Sequence, residues 1–462
     1  MKLLLPDLDD TLSTPLYIQL YQELKTAIME EGVAQGDKLP SLRTMAKNLG
    51  ISITTVQLSY NQLLVEGYVV NKPQSGYFVA QNLPSKVVQK SAPWNLKQED
   101  TSPFKNNPTF LHDIQCFDFN KWKKCSSTVF NDYSHLLLFE SDPQGEAALR
   151  HEISKYLFSS RGVICTPAQI VIGAGTQQIT SQLCIILSKI NINHVSLESP
   201  GYLPVQSTFL DRGFALSHIP VESDGIDISK LPANIPSAVY VSPSNQFPTG
   251  AVMPIGRRYQ LLDWARQNNS IIIEDDYDSE LRYFGRPMPS LQSLDHNECV
   301  VYLGSFSSTL FPAIKISYMV LPSSLADIFS SIKNQYTQTC SKAEQLTLAL
   351  FMEKGYYYTG IRKLRNLYSQ KLQKAIQCFA KYGCSKITTT DTQSGINLTI
   401  GVHSKKSADE LCALAKSIGL QMIPLSHLSH QETSALIFYY NQIPLQDMDS
   451  LLKQLSMLWE LD

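Results

Sequence analysis

The sequence has no excess of charge of either sign. Its 39 Lys and Arg residues are balanced by 41 Asp and Glu residues, which gives a formal net charge of −2 over 462 residues. Charged residues make up 17% of the chain and hydrophobic residues 43%, so a disordered protein is excluded. A surface that is basic all over is excluded as well, and any site for a polyanion must therefore be local.

Paired cysteines and long apolar runs are also missing. The nine cysteines are scattered, odd in number and without a Cys-x-x-Cys pair, which is typical of reduced thiols rather than of a disulfide framework. No run reaches the ~18–20 apolar residues that span a bilayer, and MKLLLPDLDD turns acidic too early for a signal peptide. We therefore expect a cytoplasmic protein without a membrane segment.

The first part of the chain has the periodicity of amphipathic helices. Apolar and aromatic positions recur every three or four residues, at Tyr17, Leu20, Tyr21, Leu24, Ala27 and Ile28. This spacing predicts a first helix with Thr14 as its N-cap and Pro15 at its first position. Ser41 and Ser52 each precede another apolar stripe and predict the N-caps of two further helices, the first of which stops at Gly50.

A β-ribbon is predicted after the three helices. The sequence GYVVNKPQSGYFVA contains two short β-rich runs, 68–71 and 77–80, joined by a turn with Pro73 and Gly76. Three helices and a ribbon predict a winged helix-turn-helix in residues 1–80, a module that lays one helix in the major groove of DNA. A protein–protein adaptor is the alternative reading of the same elements.

The surface expected to meet DNA is polar and locally basic. Its helix residues are Thr54, Thr55, Gln57 and Asn61. Residues 38–80 hold four basic residues and one acidic residue, and the resulting charge of +3 suits a few salt-dependent phosphate contacts per copy. Dimerisation would double these contacts.

The segment KLPSLRTMAKNLGISITTVQLSYNQLLVEGYVVNKPQSGYFV resembles the GntR-type winged helix, whose pattern is Leu-Pro-Ser-x-Arg, Thr-Val, Tyr-x-x-Leu, Glu-Gly and Ser-Gly-x-Phe-Val. The resemblance implies that Ser41 and Arg43 contact phosphates and base edges. The wing-tip residues that it implies are Lys72, Ser75 and Gly76. Ile53 and Thr54 replace the family's usual basic or polar pair, which leaves the recognised DNA sequence open.

A second, larger unit is predicted after a linker. Residues 81–112 carry four prolines among polar residues, which indicates a semi-extended tether. In residues 113–462, short β-rich runs alternate with helical stretches, for example QIVIGA before TQQITSQLCIILSKI. This alternation predicts an α/β fold with a mainly parallel sheet covered by helices on both faces. Ligands bind outside the carboxyl ends of the strands in such sheets.

Six motifs in this part carry a second resemblance. They are SDPQGEAALRHEISKYLFSSRGV, IVIGAGTQQ, ESPGY, SPSNQFPTG, IIIEDDYDSELRYFGRP and YLGSFSSTLFPAIKISYMV. In this order they resemble the aminotransferase class I/II domain of fold-type I pyridoxal-phosphate enzymes, and the whole chain resembles the MocR/GabR-type transcription regulators. The resemblance implies a fold-type I domain with a smaller C-terminal α+β subdomain, a homodimer, DNA as a partner and pyridoxal phosphate as a cofactor.

The cofactor-like pocket has two parts. Gly175, Thr176 and Gln177 follow a strand and open a helix, so their N–H groups are suited to cradle a phosphate, with an ordinary glycine turn as the alternative. The resemblance implies that Asp275 keeps a pyridine nitrogen protonated and that Tyr277 bonds the ring oxygen. It also implies that Tyr202 stacks on the ring. The alternatives are a helix cap for Asp275 and plain packing for Tyr202. Ser305, Ser307, Ser308 and Lys315 complete the implied pocket.

The departure at Ser308 decides the chemistry that we expect. The family reads Gly-x-Phe-Ser-Lys-Thr-Leu-x-Pro, and its lysine forms the Schiff base, whereas this chain has Ser308 at that position. Transamination needs an amine that forms the imine and moves the proton at the substrate carbon, which a hydroxyl cannot do. Lys315 aligns with the family arginine that clamps the phosphate and offers one point charge. Three further positions depart by our alignment, and these are Glu140 for a tyrosine, Asn245 for a histidine and Ile437 for a carboxylate-binding arginine.

Three functions compete at this point. The first is a DNA-binding regulator whose aminotransferase-like half has no catalytic residue and serves for effector sensing and dimerisation. The second is a regulator that still binds pyridoxal phosphate, non-covalently, through Asp275, Tyr277, Lys315 and the Gly175 loop. The third is an active aminotransferase. The Ser308 departure favours the first, and no metal is expected in any of them.

Overall fold

A computed structural model describes residues 8–9, 14–30, 32–81, 113, 116–283, 288–383, 385–390, 395–425 and 433–460. The chain separates into two compact units, Met1–Lys105 and Asn106–Asp462. The predicted linker lies outside the described residues except for residue 81, as does the N-terminal decapeptide except for residues 8 and 9, and the domain boundaries stay a prediction. No helix in the described part of the chain is both long enough and apolar enough to cross a bilayer.

The N-terminal unit is a winged helix, as predicted. Its elements are α1 (Leu16–Met29), α2 (Leu42–Leu49), α3 (Ile53–Val65), β1 (Val69–Lys72) and β2 (Gly76–Val79). Ser41 and Ser52 cap α2 and α3 by accepting the N–H groups of residues 44 and 55 at 3.2 and 3.0 Å. Gly50 ends α2 with a φ of 66°, a left-handed conformation that glycine adopts at little cost.

Three boundaries in this unit differ by one residue from the prediction. Helix α1 begins at Leu16 with Pro15 as its N-cap, because Pro15 keeps an extended ψ of 142°. Each ribbon strand lies one residue nearer the turn, since the pairing continues to Lys72 opposite Gly76. The turn therefore holds three residues, and Gly76 follows it with a φ of 105°.

The larger unit is built on a mixed, mainly parallel sheet of eight strands. Its strands are β3 (Ile170–Gly173), β4 (His194–Ser199), β5 (Ala215–Glu222), β6 (Gly225–Ile226), β7 (Ala238–Val241), β8 (Ile271–Asp275), β9 (Val300–Ser305) and β10 (Ser317–Val320). Their order is β3-β10-β9-β8-β7-β4-β5-β6. The run from β9 to β5 is parallel, whereas β10 is antiparallel to both β3 and β9.

Helices cover both faces of this sheet, as the alternation predicts. They are α4 (Phe119–Asp132), α5 (Ala147–Arg161), α6 (Thr176–Lys189), α7 (Leu203–Asp211), α8 (Ile255–Asn268), α9 (Leu291–Leu294), α10 (Ser323–Ile332), α11 (Lys342–Glu353) and α12 (Tyr356–Tyr382). Strand β3 shows how the faces divide, because Ile170 and Ile172 join the apolar cluster of α5 and α11. Val171 between them points to the cluster of α6, α7 and α10.

A smaller α+β part completes the larger unit. Four antiparallel strands, β11 (Ile387–Thr390), β12 (Leu398–His403), β13 (Met422–Pro424) and β14 (Thr433–Phe438), are arranged in the order β11-β12-β14-β13. Helices α12, α13 (Ala408–Ser417) and α14 (Met448–Leu458) bury one apolar cluster with this sheet. This is the small C-terminal subdomain that the family resemblance implies.

Candidate functional site

The residues predicted to contact DNA lie on three neighbouring elements of the winged helix. They are Ser41 and Arg43 at the start of α2, Thr54, Thr55, Gln57 and Asn61 on α3, and Lys72, Ser75 and Gly76 at the wing turn. Seven of the nine are exposed, while Thr55 and Gly76 are partly buried. Positions 54, 57 and 61 share one face of α3, because they are three and four residues apart. Their contact with DNA stays a prediction.

Two of these side chains also hold the fold. The Ser41 hydroxyl accepts the Thr44 N–H and lies 2.8 Å from the Thr44 hydroxyl. The Thr55 hydroxyl lies 2.8 Å from that of Ser52, at the start of α3. Loss of either group would therefore weaken a helix N-terminus as well as the polar surface.

The structure adds Lys38 to the wing, a basic residue that was not among the predicted DNA-contacting residues. The ammonium groups of Lys38 and Lys72 lie 5.9 and 4.7 Å from the centre of the Phe78 ring. Lys38 pairs with Phe78 in an isolated β-bridge, which brings two residues that are 40 positions apart in the sequence together at the wing. The wing therefore presents two cations on one aromatic platform.

A cavity of about 410 Å³ lies in the larger unit where strands β4, β7, β8 and β9 end. All ten residues predicted for a cofactor-like pocket line it, and these are Gly175, Thr176, Gln177, Tyr202, Asp275, Tyr277, Ser305, Ser307, Ser308 and Lys315. The strand ends explain the convergence, because Asp275 closes β8 and Ser305 closes β9, its parallel neighbour. That these residues hold a cofactor stays a prediction.

One end of the cavity has the chemistry of an anion site. Gly175 is the N-cap of α6 and has a φ of 90°, and no side chain in the described residues caps this helix. A Cβ placed on Gly175 would lie 4.0 Å from the Lys315 Cδ, so the stem of this lysine runs beside the helix start. The Ser305 hydroxyl accepts hydrogen bonds from the Ser317 hydroxyl and the Ser307 N–H at 3.0 and 3.3 Å. A helix N-terminus beside a lysine, in a cavity that serine hydroxyls also line, suits a phosphate group.

Buried acidic side chains also line the cavity, in contrast to the anion site just described. Asp275 accepts a short hydrogen bond from the Tyr240 hydroxyl, and burial raises the pKa of Asp275 to about 6 although this bond lowers it. Glu198 accepts the Ser242 N–H and the Gln246 amide at 3.2 and 3.4 Å. Burial raises the pKa of Glu198 to about 8, and the Asp275 charge adds to that effect. The pKa of Asp275 thus stays below that of Glu198, so Asp275 is the more readily ionised of the two acids.

The remaining ring-facing residues are held by neighbours. The Asn245 amide donates to the Tyr277 hydroxyl at 3.4 Å, so this departure from the family histidine remains beside the site. Tyr202 is 45% exposed, and its ring lies edge-on to Phe247 at a centroid distance of 6.3 Å. Tyr202 thus lines the cavity in addition to packing against an aromatic neighbour.

At the position of the departure, Ser308 faces an acid. Ser308 and Asp278 both line the cavity, and the Ser308 hydroxyl lowers the pKa of Asp278. Among the described residues that line the cavity, Lys315 is the single lysine. The phosphate and ring positions therefore fit pyridoxal phosphate, whereas no lining amine stands at Ser308 to form an imine.

Two other departures lie away from the cavity lining. Glu140 is exposed, and its carbonyl oxygen accepts the Lys342 ammonium at 3.0 Å. Ile437 is buried in β14 against Leu425 and Ala435, so an apolar cluster occupies the position that we assigned to a carboxylate-binding arginine.

Sequence reasoning missed three lining residues that carry charge or hydrogen bonds, and these are Glu198, Tyr240 and Asp278. A signal was present for each, because Glu198 and Tyr240 lie near the carboxyl ends of strands β4 and β7. Asp278 follows β8 by three residues, in the same motif as Asp275. Residues at the carboxyl ends of parallel strands are the expected lining of such a site.

Together, a winged helix and an aminotransferase-like unit define a DNA-binding transcriptional regulator. The family model for bacterial regulatory proteins of the gntR family matches residues 16–79, and that for aminotransferase class I and II matches residues 120–436. The chain belongs to the family of HTH-type transcriptional regulators in which these two domains are fused, the MocR-type regulators.

Named relatives support this assignment. The chain is 36% identical over 461 residues to the uncharacterized HTH-type transcriptional regulator YdeL of Bacillus subtilis, covering 99% of each chain. It is 30% identical over 442 residues to the probable rhizopine catabolism regulatory protein MocR of Rhizobium meliloti, covering 91% of this chain and 88% of that one.

Solved structures show the same fold in the larger unit. A kynurenine aminotransferase from Pyrococcus horikoshii matches with a TM-score of 0.63 at 22% identity, covering 76% of this chain and 89% of that one. An archaeal alanine:glyoxylate aminotransferase matches with a TM-score of 0.66 at 18% identity, covering 76% and 89%. At these identities the likeness concerns the fold, which is that of fold-type I aminotransferases.

Proposed function

We propose that this protein is a homodimeric transcription regulator whose aminotransferase-like unit senses a small ligand and carries out no transamination. One observation supports this above all: the cavity keeps phosphate-type and ring-type residues while Ser308 stands where the family has its Schiff-base lysine. In this proposal, residues 1–80 bind DNA, 81–112 form the linker, and 113–462 bind the effector and dimerise.

The loss of transamination follows from the functional groups that line the cavity. A serine hydroxyl forms no imine with an aldehyde and is too weak a base to remove a proton from a substrate carbon. Lys315 does not replace the missing amine, because its stem lies beside Gly175 at the anion end. We therefore assign Lys315 to charge pairing with a bound phosphate.

Signal transfer would depend on the dimer. Two winged helices bind a repeated DNA site only when their spacing matches the repeat. A ligand that binds the two arrangements of the dimer with different affinity shifts the balance between them. Ligand binding in the larger unit thereby changes how well the tethered modules fit the operator.

A second candidate effector is pyridoxal phosphate itself, held without a covalent bond. The fit supports it, because Lys315 and the Gly175 loop suit the phosphate and Asp275 suits the pyridine nitrogen. Tyr277 would contact the ring oxygen, and Tyr202 would pack on the ring. The bound group would supply an electron-withdrawing ring. Without a Schiff-base lysine, however, these residues would only bind the group.

DNase footprinting upstream of the protein's own gene tests the regulator proposal. We expect protection at low salt that weakens as salt rises, in a pattern of two half-sites. Protection that one metabolite alters would identify the effector. The absence of protection at low salt would refute the proposal.

The catalytic part has its own test. After incubation with pyridoxal phosphate and borohydride reduction, peptide mapping should find no lysine that carries the cofactor. The visible spectrum after gel filtration shows whether the cofactor is retained non-covalently. A reduced lysine adduct, or amino-group transfer faster than with free pyridoxal phosphate, would refute the loss of catalysis.

A further inference from the structure

Asp278 is a buried acid without the partner that such a group needs. It is 2% exposed and lines the cavity, and neither of its carboxylate oxygens makes a hydrogen bond of ordinary geometry in the described structure. Its backbone has a φ of 56°, a left-handed conformation that is uncommon outside glycine. Burial raises the pKa of Asp278 to about 7.

Neighbouring acids add to the free-energy cost of ionising Asp278. Asp275 and Glu280 both raise its pKa, and the Ser308 hydroxyl is the one group that lowers it. The nearby cation Arg161 is already bound to Asp276 at 2.6 Å. Asp278 also borders a second cavity, of about 360 Å³, lined by four arginines, Arg161, Arg282, Arg362 and Arg365.

The first cavity as a whole therefore holds more acid than base. Asp275, Asp278 and Glu198 line it, and Lys315 is the one lysine or arginine among its lining residues that the structure describes. Glu198 also keeps one oxygen without a hydrogen bond. A buried acid without hydrogen bonds is stabilised by a cation or by donors, so a ligand that is only an anion leaves Asp278 unsatisfied.

We infer that Asp278 and Ser308 bind a primary ammonium group of the ligand, while Lys315 and the start of α6 bind a phosphate group at its other end. The effector is then an amine that also carries a phosphate, and the ligand supplies the ammonium group that a lysine at position 308 would supply. This inference rests on the proposed ligand-sensing function and names its ligand class.

Three closely matched probes test the ammonium site. Pyridoxamine phosphate, pyridoxine phosphate and pyridoxal phosphate share the ring and the phosphate and differ in bearing an aminomethyl, a hydroxymethyl or an aldehyde group. Isothermal titration calorimetry on the full-length protein without DNA gives the three dissociation constants. We expect pyridoxamine phosphate to bind at least about tenfold more tightly than pyridoxine phosphate, since charge-assisted hydrogen bonds to a buried acid exceed neutral ones.

Variants assign the preference to its residues. Asp278→Asn keeps the shape but not the charge, so it should reduce the ratio of the affinity for pyridoxamine phosphate to that for pyridoxine phosphate from about tenfold to near one. Ser308→Lys brings a protein ammonium to the same place and should also remove the preference, which keeps the test decisive if Asp278→Asn does not fold. Circular dichroism checks the fold of both variants.

Several outcomes would overturn the inference. Equal affinities for the amine and the alcohol would do so, as would a preference that survives in both variants or a failure of all three probes to bind. O-phosphoethanolamine, which has the amine and the phosphate but no ring, separates the possible sources of the ligand. If it binds with the same dependence on Asp278, the site takes a small amine phosphate rather than a cofactor. The DNA footprint tests the regulator proposal and does not depend on whether these probes bind. A failure of this inference can therefore be told apart from a failure of the regulator proposal.

Discussion

The charge of Lys72 at the wing offers a direct measure of DNA contact. Its ammonium lies 4.7 Å from the Phe78 ring centre, beside Lys38, in a segment whose net charge is +3. Each phosphate contact adds about 0.9 to the slope of log affinity against log salt concentration. Lys72→Gln should therefore reduce that slope by about 0.9 per copy and about 1.8 per dimer.

The effect on affinity is large enough to measure. Between ~50 and ~200 mM salt, one phosphate contact per copy corresponds to about a 3.5-fold loss of affinity for each copy and about a twelvefold loss for a dimer, and the variant should lack this part of the salt dependence. Fluorescence anisotropy with a labelled operator fragment at five salt concentrations gives both slopes. The variant also loses a cation–π contact of about 0.5–1 kcal/mol, so its thermal unfolding must be measured alongside.

A surface lysine far along the chain serves as the control. Lys453→Gln makes the same change of charge on an exposed residue of α14 in the larger unit, and should leave the slope unchanged. An equal slope for Lys72→Gln and the unmodified protein would refute the assignment of the wing to DNA. A fall of similar size in both variants would show that the effect is one of overall charge rather than of contact.

Three further predictions concern the cap and the cavity. Ser41→Ala removes the N-cap of α2 and should cost about 1 kcal/mol, seen as roughly fivefold faster hydrogen exchange in α2 than in the unmodified protein; unchanged exchange would contradict the cap. Tyr240→Phe removes the hydrogen bond that lowers the pKa of Asp275, so the pH below which the affinity for pyridoxine phosphate, which has no ammonium group for Asp278, falls should rise from about 6; an unmoved midpoint would contradict this role. Asp278 binds its proton more tightly in the folded than in the unfolded state, so its contribution to stability is present at low pH and is lost between about pH 4 and its pKa of about 7. Asp278→Asn should therefore raise the melting temperature more at pH 8 than at pH 5, and parallel shifts at the two pH values would contradict the buried acid.

The sequence by itself determined the elements and many of the site residues. The caps at Ser41 and Ser52 are local, because each side chain bonds a backbone N–H three residues on. The alternation of strands and helices fixed the α/β class, and parallel strands bring their carboxyl ends to one edge whatever their neighbours are. The family resemblance predicted Asp275 and Ser305 as pocket residues, and both line the cavity because they end neighbouring parallel strands.

Only the tertiary structure decided what each acid of the Glu274–Asp278 run does. The strand period places Glu274 and Asp276 on one face and Asp275 on the other, as a sequence can show. Glu274 accepts two N–H groups near residue 291 at 2.7 and 2.9 Å, and Asp276 pairs with Arg161 at 2.6 Å. Asp278 has no such partner and faces Ser308. The partners come from 17 to 115 residues away in the chain, and burial, which sets the pKa of each acid, exists only once the chain has folded.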